Sequence, residues 1–396
     1  MSVSNRVQRG MEIGSWIRRM FEEGIAMKKK YGAENVYDLS LGNPIMEPPE
    51  EFKREIKRLA DNPFKGMHGY MENAGYPETR AAVGEQLTRE TGIKLTEKDI
   101  IMAVGAAGAI NVALKTILDP GDEVLLFIPW FVDYFNYVEN HDGVVKPVPT
   151  DEHFMPKLDA LEAAITPRTK ALLIDSPNNP TGVVYSADLM EQMADILRKK
   201  EVEYGTEIFI VSDEPYKKII YDGLKYPSPL NFHRHSIIAT SHSKDLSIAG
   251  ERIGYVALHP DCEQHDEMIT GFVFCTRVLG FINAPAFMQN VVRNIQQVTI
   301  NVGEYQRHRD YIYDNLVRMG YEVNKPQGAF YIFPKCPIED DVAFIHELQE
   351  DYHVLTVPGI AFGQTGYFRM VYCTDDRTLE CSMPGLEALA KKYGLK

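Results

Sequence analysis

Between Ser241 and Tyr255 the chain reads Ser-His-Ser-Lys-Asp-Leu-Ser-Ile-Ala-Gly-Glu-Arg-Ile-Gly-Tyr, with a single lysine, Lys244, among hydroxyl residues and a single arginine, Arg252, downstream. An amine with an ordinary pKa of about 10.4 is a poor nucleophile at neutral pH. A lysine that condenses with a carbonyl must therefore sit where burial or a neighbouring cation favours its neutral form. Ser241, Ser243 and Arg252 could together hold a dianionic phosphate beside it. Taken alone, the pattern reads better as a solvated lysine in a serine-rich loop, and the rest of the chain must decide.

Three other places carry residues suited to the same chemistry. The apolar run Glu207 to Val211 leads into Ser212-Asp213-Glu214-Pro215-Tyr216. An aspartate at the carboxyl end of a strand in an open α/β sheet lies where ligands bind, yet Asp213 could equally cap a helix begun at Pro215, and Glu214 offers a second acid. The strand expected over Asp99 to Val104 is followed by Gly105-Ala106-Ala107-Gly108-Ala109, which opens a helix to Leu118. Small residues there let the backbone N–H groups of Ala106 and Ala107 approach an anion, although tight packing explains the same residues. No terminal Gly-Lys-[Ser/Thr] and no G-x-G-x-x-G accompanies them, so this is no nucleotide loop. Finally, Gly366 to Tyr372 places one arginine, Arg369, in an apolar strand. A charge is costly to bury unpaired, which makes Arg369 either a bidentate clamp for a carboxylate or an edge-strand arginine facing water.

The elements needed to position these residues are legible as an alternation of strands and helices. Helices are expected over 14–30, with Trp16, Ile17, Met20, Phe21, Ile25 and Met27 at helical spacing, then over 50–60 and 78–91. Val36 to Leu41 is a short strand turned away by Gly42-Asn43-Pro44, and Glu123 to Ile128, Lys170 to Asp175, Ile237 to Thr240 and Gly254 to Leu258 are further strands. This predicts a mostly parallel sheet covered on both faces. Beyond Ala284-Pro285 one long helix is expected to Gly320, with Gly303 as a possible kink, joining the large domain to a smaller one. The expected boundaries are 1–48 for the N-terminal part of the small domain, 49–290 for the large domain, and 291–396 for the joining helix and the C-terminal small domain.

Ser241 to Lys244, with Arg252 and Gly254-Tyr255, resembles the pyridoxal-phosphate lysine signature of the class I/II aminotransferases, the fold type I group, and further stretches match that family in order along nearly the whole chain. The resemblance implies an α/β fold with pyridoxal 5'-phosphate as cofactor. Lys244, Asp213 and Tyr216 would be catalytic: Asp213 rather than Glu214 at the ring nitrogen, Tyr216 at the phenolic oxygen. Ala106, Ala107, Ser241, Ser243 and Arg252 would hold the phosphate, and Tyr70, in His68 to Pro77, would reach the phosphate of a neighbouring subunit. Phe131, favoured over its neighbour Trp130, would stack on the ring. Asn179, in Ser176-Pro-Asn-Asn-Pro-Thr-Gly182, would lie beside the phenolic oxygen, and Gly42, Asn179 and Arg369 would meet the substrate. The implied partners are an amino acid and a 2-oxo acid, and the implied assembly is a homodimer with shared sites.

Composition narrows the alternatives. A formal net charge of −14 over 396 residues speaks against nucleic acid or an anionic membrane as partner. The five cysteines, Cys262, Cys275, Cys336, Cys373 and Cys381, show no C-x-x-C pairing, so no disulfide framework or zinc site is expected, and a reducing cytoplasm fits best. His233 and His235 flank Arg234 at a spacing that suits neither a helix face nor a metal site, and no catalytic triad can be argued. No export signal or membrane span is expected. The reading is a ping-pong aminotransferase, with a lyase of the same fold, cutting C–S or C–C bonds, as the alternative. A pyridoxal-phosphate sensor module would carry a basic extension that is not seen here. Ala107 stands where one aspartate-type branch has a lysine for a distal carboxylate, which puts dicarboxylate preference in doubt, while Arg277 could lend a side chain across a dimer.

Overall fold

Runs of aliphatic and β-branched residues build a seven-stranded sheet at the centre of the computed structural model, which describes residues 3–13 and 15–395; the side chains of residues 12, 13, 15, 17, 18 and 21 lie outside that description. After a two-residue strand β1 (Tyr37–Asp38), the sheet strands are β2 (Ile100–Ala103), β3 (Glu123–Phe127), β4 (Val144–Val148), β5 (Thr169–Asp175), β6 (Phe209–Asp213), β7 (Ser236–Ser241) and β8 (Gly254–Leu258). Their order is β2-β8-β7-β6-β5-β3-β4. Strand β8 runs antiparallel to both of its neighbours, and the other pairings are parallel.

Side chains along the central strands alternate between two cores. Leu172 and Ile174 of β5 join one cluster and Ala171 and Leu173 the other; Ile210 of β6 faces the first and Phe209 and Val211 the second. A sheet apolar on both faces must be covered on both, which is why these strands read as continuous apolar runs. The edge strand β4 differs. Its Val144 is exposed and it contains Pro147, which lacks the N–H for a ladder bond and is tolerated where one side is unpaired.

The C-terminal part carries β9 (Tyr331–Ile332), β10 (Val354–Leu355), β11 (Val357–Pro358) and β12 (Phe368–Val371). Strand β12 lies between β11 and β9, antiparallel to both. Strand β1 pairs parallel with β10, and Val371 N donates to Leu39 O at 2.9 Å, so the N-terminal segment docks on the C-terminal part.

Two helical expectations are adjusted. The first long helix spans Ser15–Tyr31 and buries Met20 and Met27, whereas Ile25 is exposed; Gly14 and the side chains of Ile17 and Phe21 lie outside the described residues. The expected continuous helix from Ala286 to Gly320 is two helices, Ala286–Val292 and Val302–Met319. Between them Val298-Thr299-Ile300 is β-branched and poorly suited to helix, and Ile300 N donates to Asp245 O at 2.8 Å. Asn301 then caps the second helix by accepting from Gly303 N at 3.2 Å. Gly303 thus sits in a first turn and makes no kink. Among the described residues no helix is long and apolar enough to cross a membrane.

Candidate active site

The carboxyl ends of β5, β6 and β7, the amino end of the helix Gly105–Ile117 and the loop after β1 converge on a cavity of about 640 Å³. Lys244 enters it from the turn after β7, and its Nζ donates to Gly42 O at 2.8 Å. Burial pushes the Lys244 ammonium down to about 8, with Arg252 and Arg369 acting in the same direction. This is the environment that a nucleophilic amine requires.

Strands β5 and β6 end in register on two aspartates, Asp175 opposite Asp213. Both are buried, and burial pushes the carboxyl of Asp213 up to about 8 and that of Asp175 up to about 7. Tyr134 donates to Asp213 Oδ2 at 2.7 Å, while Oδ1 is buried with no hydrogen-bond partner. Asp175 accepts from Asn178 Nδ2 at 2.7 Å and from Asn179 N at 2.9 Å, and so fixes the Asn-Asn turn. Glu214 lies elsewhere, beside Tyr226 and Lys217.

Arg369 does not face water. It is 2 % exposed in the central strand of its sheet, donates from Nη1 to Asn179 Oδ1 at 3.0 Å and from Nη2 to Ser40 O at 2.5 Å, and lies over the rings of Tyr331 and Phe362 at 4.8 and 4.9 Å. No carboxylate pairs with it among the described residues, and its Nε has no partner. Tyr216 and Tyr331 share a hydroxyl contact of 2.6 Å. At Gly42 a Cβ would collide with the Tyr331 hydroxyl, so only glycine lets the backbone pass here.

At the opposite wall, Ser241 Oγ donates to Ser243 Oγ at 3.0 Å, and Arg252, held at φ 51°, reaches across to the start of the helix Gly105–Ile117. Gly105 has φ +70°, and a Cβ there would come within 2.8 Å of Arg252 Nη2. The helix N-terminus thus exposes the N–H groups of Ala106 and Ala107 between a guanidinium and two hydroxyls, with no carboxylate paired to Arg252 among the described residues. Phe131 lines the cavity, whereas Trp130 lies against Gly363.

Of the residues given a role in the sequence analysis, Tyr70, 91 % exposed, and the exposed Arg277 lie off this wall, as do Glu214 and Trp130. Tyr134, Asp175, Tyr137 and Tyr331 join the wall without having been singled out. A usable signal existed for Asp175, since two neighbouring apolar runs each end in Asp-Ser or Ser-Asp before a proline. For the tyrosines only tertiary structure brings the hydroxyls inward.

The model of the family "Aminotransferase class I and II" matches residues 34–381. The chain belongs to the class I and II aminotransferases. It is 33% identical over 352 residues to a probable aspartate aminotransferase of Methanocaldococcus jannaschii, covering 87% of this chain and 90% of that one. It is 34% identical to aromatic-amino-acid aminotransferase 2 of Thermococcus litoralis over the full length of both. The crystal structure of an amino transferase from Eubacterium rectale superposes with a TM-score of 0.95 at 36% identity, again over all of both chains. The protein is thus a pyridoxal-phosphate-dependent aminotransferase with an aspartate aminotransferase-like fold.

The residues of this enzyme fit that cofactor. The buried, unpartnered Asp213 Oδ1 is an acceptor suited to a protonated ring nitrogen. The cradle of Gly105, Ser241, Ser243 and Arg252 offers a dianion several donors and a cation. The partly neutral Lys244 amine lines the same cavity.

Proposed function

We propose that the aminotransferase acts on an L-amino acid held by its α-carboxylate on Arg369, and that each site residue has the role its surroundings favour. The carrying observation is the buried guanidinium of Arg369, without an anionic partner among the described residues and 3.0 Å from Asn179 Oδ1. An uncompensated buried cation costs several kcal/mol, on the order of 3–5, and a carboxylate in two parallel hydrogen bonds relieves it.

Pyridoxal phosphate, when bound, supplies the carbonyl that condenses with amines and the ring that takes up electron density from Cα. Arg252, Ser241, Ser243 and the backbone N–H groups of Ala106 and Ala107 would hold the phosphate. Asp213, supported by the Tyr134 hydroxyl, would keep the ring nitrogen protonated. Tyr216 and the amide N–H of Asn179, whose Oδ1 is taken by Arg369, would serve the ring oxygen, and Phe131 the ring itself. Gly42 would leave room for the substrate, and Arg369 would orient it so that Lys244 Nζ can take the proton from Cα and hold it for the return transfer.

The same reading makes the enzyme a homodimer in which Tyr70 completes the partner's phosphate site; an almost fully exposed tyrosine supports this. It also divides the chain into 49–290 as the large domain and 1–48 with 291–396 as the small one, supported by the β1–β10 pairing. The cations on the cavity wall, Lys244, Arg252 and Arg369, all have roles already, which favours donors with an uncharged side chain over dicarboxylates. A single-turnover assay tests the reading: loaded enzyme is given aspartate, alanine or phenylalanine without any 2-oxo acid. Release of one equivalent of 2-oxo acid per site, then arrest until an acceptor is added, is the expected result, with aspartate the slowest. Continued release of pyruvate, ammonia and sulfide from cysteine, a donor whose β-substituent can leave, would make the enzyme a lyase.

A further inference from the structure

Lys244 follows the carboxyl end of β7; at the other end of that strand the fold gathers three carboxylates around two buried histidines. Glu201 comes from the last turn of the helix Ala187–Tyr204, Glu207 from the loop before β6, His233 and His235 from the segment before β7, and Glu263 from the turn after β8. All but His233 border an open cavity of about 820 Å³.

The hydrogen bonds fix how His235 presents itself. Its Nδ1 lies 2.5 Å from Glu201 Oε1, which also accepts from Ile208 N at 2.9 Å. A carboxylate oxygen that already takes the Ile208 N–H is the acceptor in its contact with His235, so His235 Nδ1 carries the hydrogen and Nε2 is the ring nitrogen left to bind. That nitrogen is buried, has no hydrogen-bond partner, and faces Glu263 Oε2 at 3.9 Å, too far for a direct bond. One ligand atom each from His235, Glu207 and Glu263 lie within 4.8 Å of one another. Three acceptor groups thus converge on the cavity. A carboxylate behind Nδ1 and a free Nε2 is also the arrangement that orients metal-binding histidines.

We propose that His235 Nε2, Glu207 and Glu263 form a binding site for a divalent transition cation of the zinc class, with water filling the remaining positions. Imidazole with carboxylates suits zinc, cobalt or nickel better than calcium or magnesium. The adjacent set Glu201, His233 and His235 is less suited, because Glu201 Oε1 is already an acceptor and His233 Nε2 donates to Ile208 O at 2.9 Å. Of the nearby cations, Arg234 pairs with Glu263 Oε1 at 2.7 Å and leaves Oε2 available. Arg198 is held by Glu191 and Asp195, and Lys170 lies over Phe209.

The test is a cobalt titration of chelator-treated, cofactor-loaded enzyme, read by the visible absorption of ligated Co²⁺, followed by displacement with Zn²⁺. One ion per chain is expected. A Glu207→Gln/Glu263→Gln variant, with both changes at the cavity rim, should bind at least about tenfold more weakly while transaminating at the parent rate; His235→Gln should lose the site entirely. Undiminished affinity in the double variant, which would place the ion on the cofactor or elsewhere, or no ligated spectrum at millimolar cobalt, would overturn the proposal. Because the double variant leaves the buried histidine in place, its result stands even where His235→Gln fails to fold.

Discussion

Lys244 is a lysine whose surroundings make it an amine. With its pKa at about 8 against an ordinary 10.5, roughly a tenth of it is neutral at pH 7. The rate at which cofactor-free protein captures pyridoxal phosphate covalently should therefore rise about tenfold per pH unit up to about pH 8 and level off above it. A solvent-exposed lysine would go on gaining past pH 10, and stopped-flow absorbance separates the two profiles. Asp213 behaves in the opposite sense: burial favours its neutral acid until a cation lies against Oδ1. Asp213→Asn should retain the cofactor yet lose turnover by about 10²–10⁴-fold, measured as kcat at saturating substrates. A near-parental kcat would move the role to Asp175, the neighbouring acid.

At the scale of elements, the phosphate cradle depends on how a helix begins. Gly105 combines a left-handed φ with a close approach to Arg252, so Gly105→Ala meets both backbone strain, about 1–2 kcal/mol, and displacement of the guanidinium. Cofactor affinity should fall about tenfold or more, which equilibrium dialysis would show, while an alanine at Gly108, which has a Cβ's room at 3.4 Å from Val104, should change it little. The same scale explains what could be read beforehand. Central strands announce themselves because both faces are buried; Asp213, Lys244 and Asn179 stand at or just beyond their ends, where ligands bind, but it was the resemblance that chose them over their neighbours. Edge strand β4 does not, since Pro147 and exposed Val144 break the apolar run. The interruption at 293–301 escaped because its cause is a backbone bond to Asp245, distant in sequence. Asp175 escaped because its importance comes from register with Asp213 across two strands. His233 and His235, before β7, read as suiting no metal site by their spacing because their carboxylate neighbours arrive from three other elements.

For the whole molecule, the exposure of Tyr70 makes the assembly testable without a crystal. Tyr70→Ala and Lys244→Ala would each be inactive or strongly impaired alone. When the two are unfolded, mixed and refolded together, half of the dimers should be hybrids. Each hybrid has one site with Lys244 from one chain and Tyr70 from the other, so activity should recover to about a quarter of the parent. No recovery would mean that each site is complete within one chain. A last consequence lies in the segment Ser40 to Gly42, whose carbonyls are held at both ends, Gly42 O by Lys244 and Ser40 O by Arg369. An amine that has condensed with a carbonyl keeps at most one N–H, and a guanidinium that has received a carboxylate has fewer donors for the backbone. The two holds on this segment would therefore answer to different guests, Gly42 O to the cofactor through Lys244 and Ser40 O to the substrate through Arg369, so that one short stretch of backbone registers both.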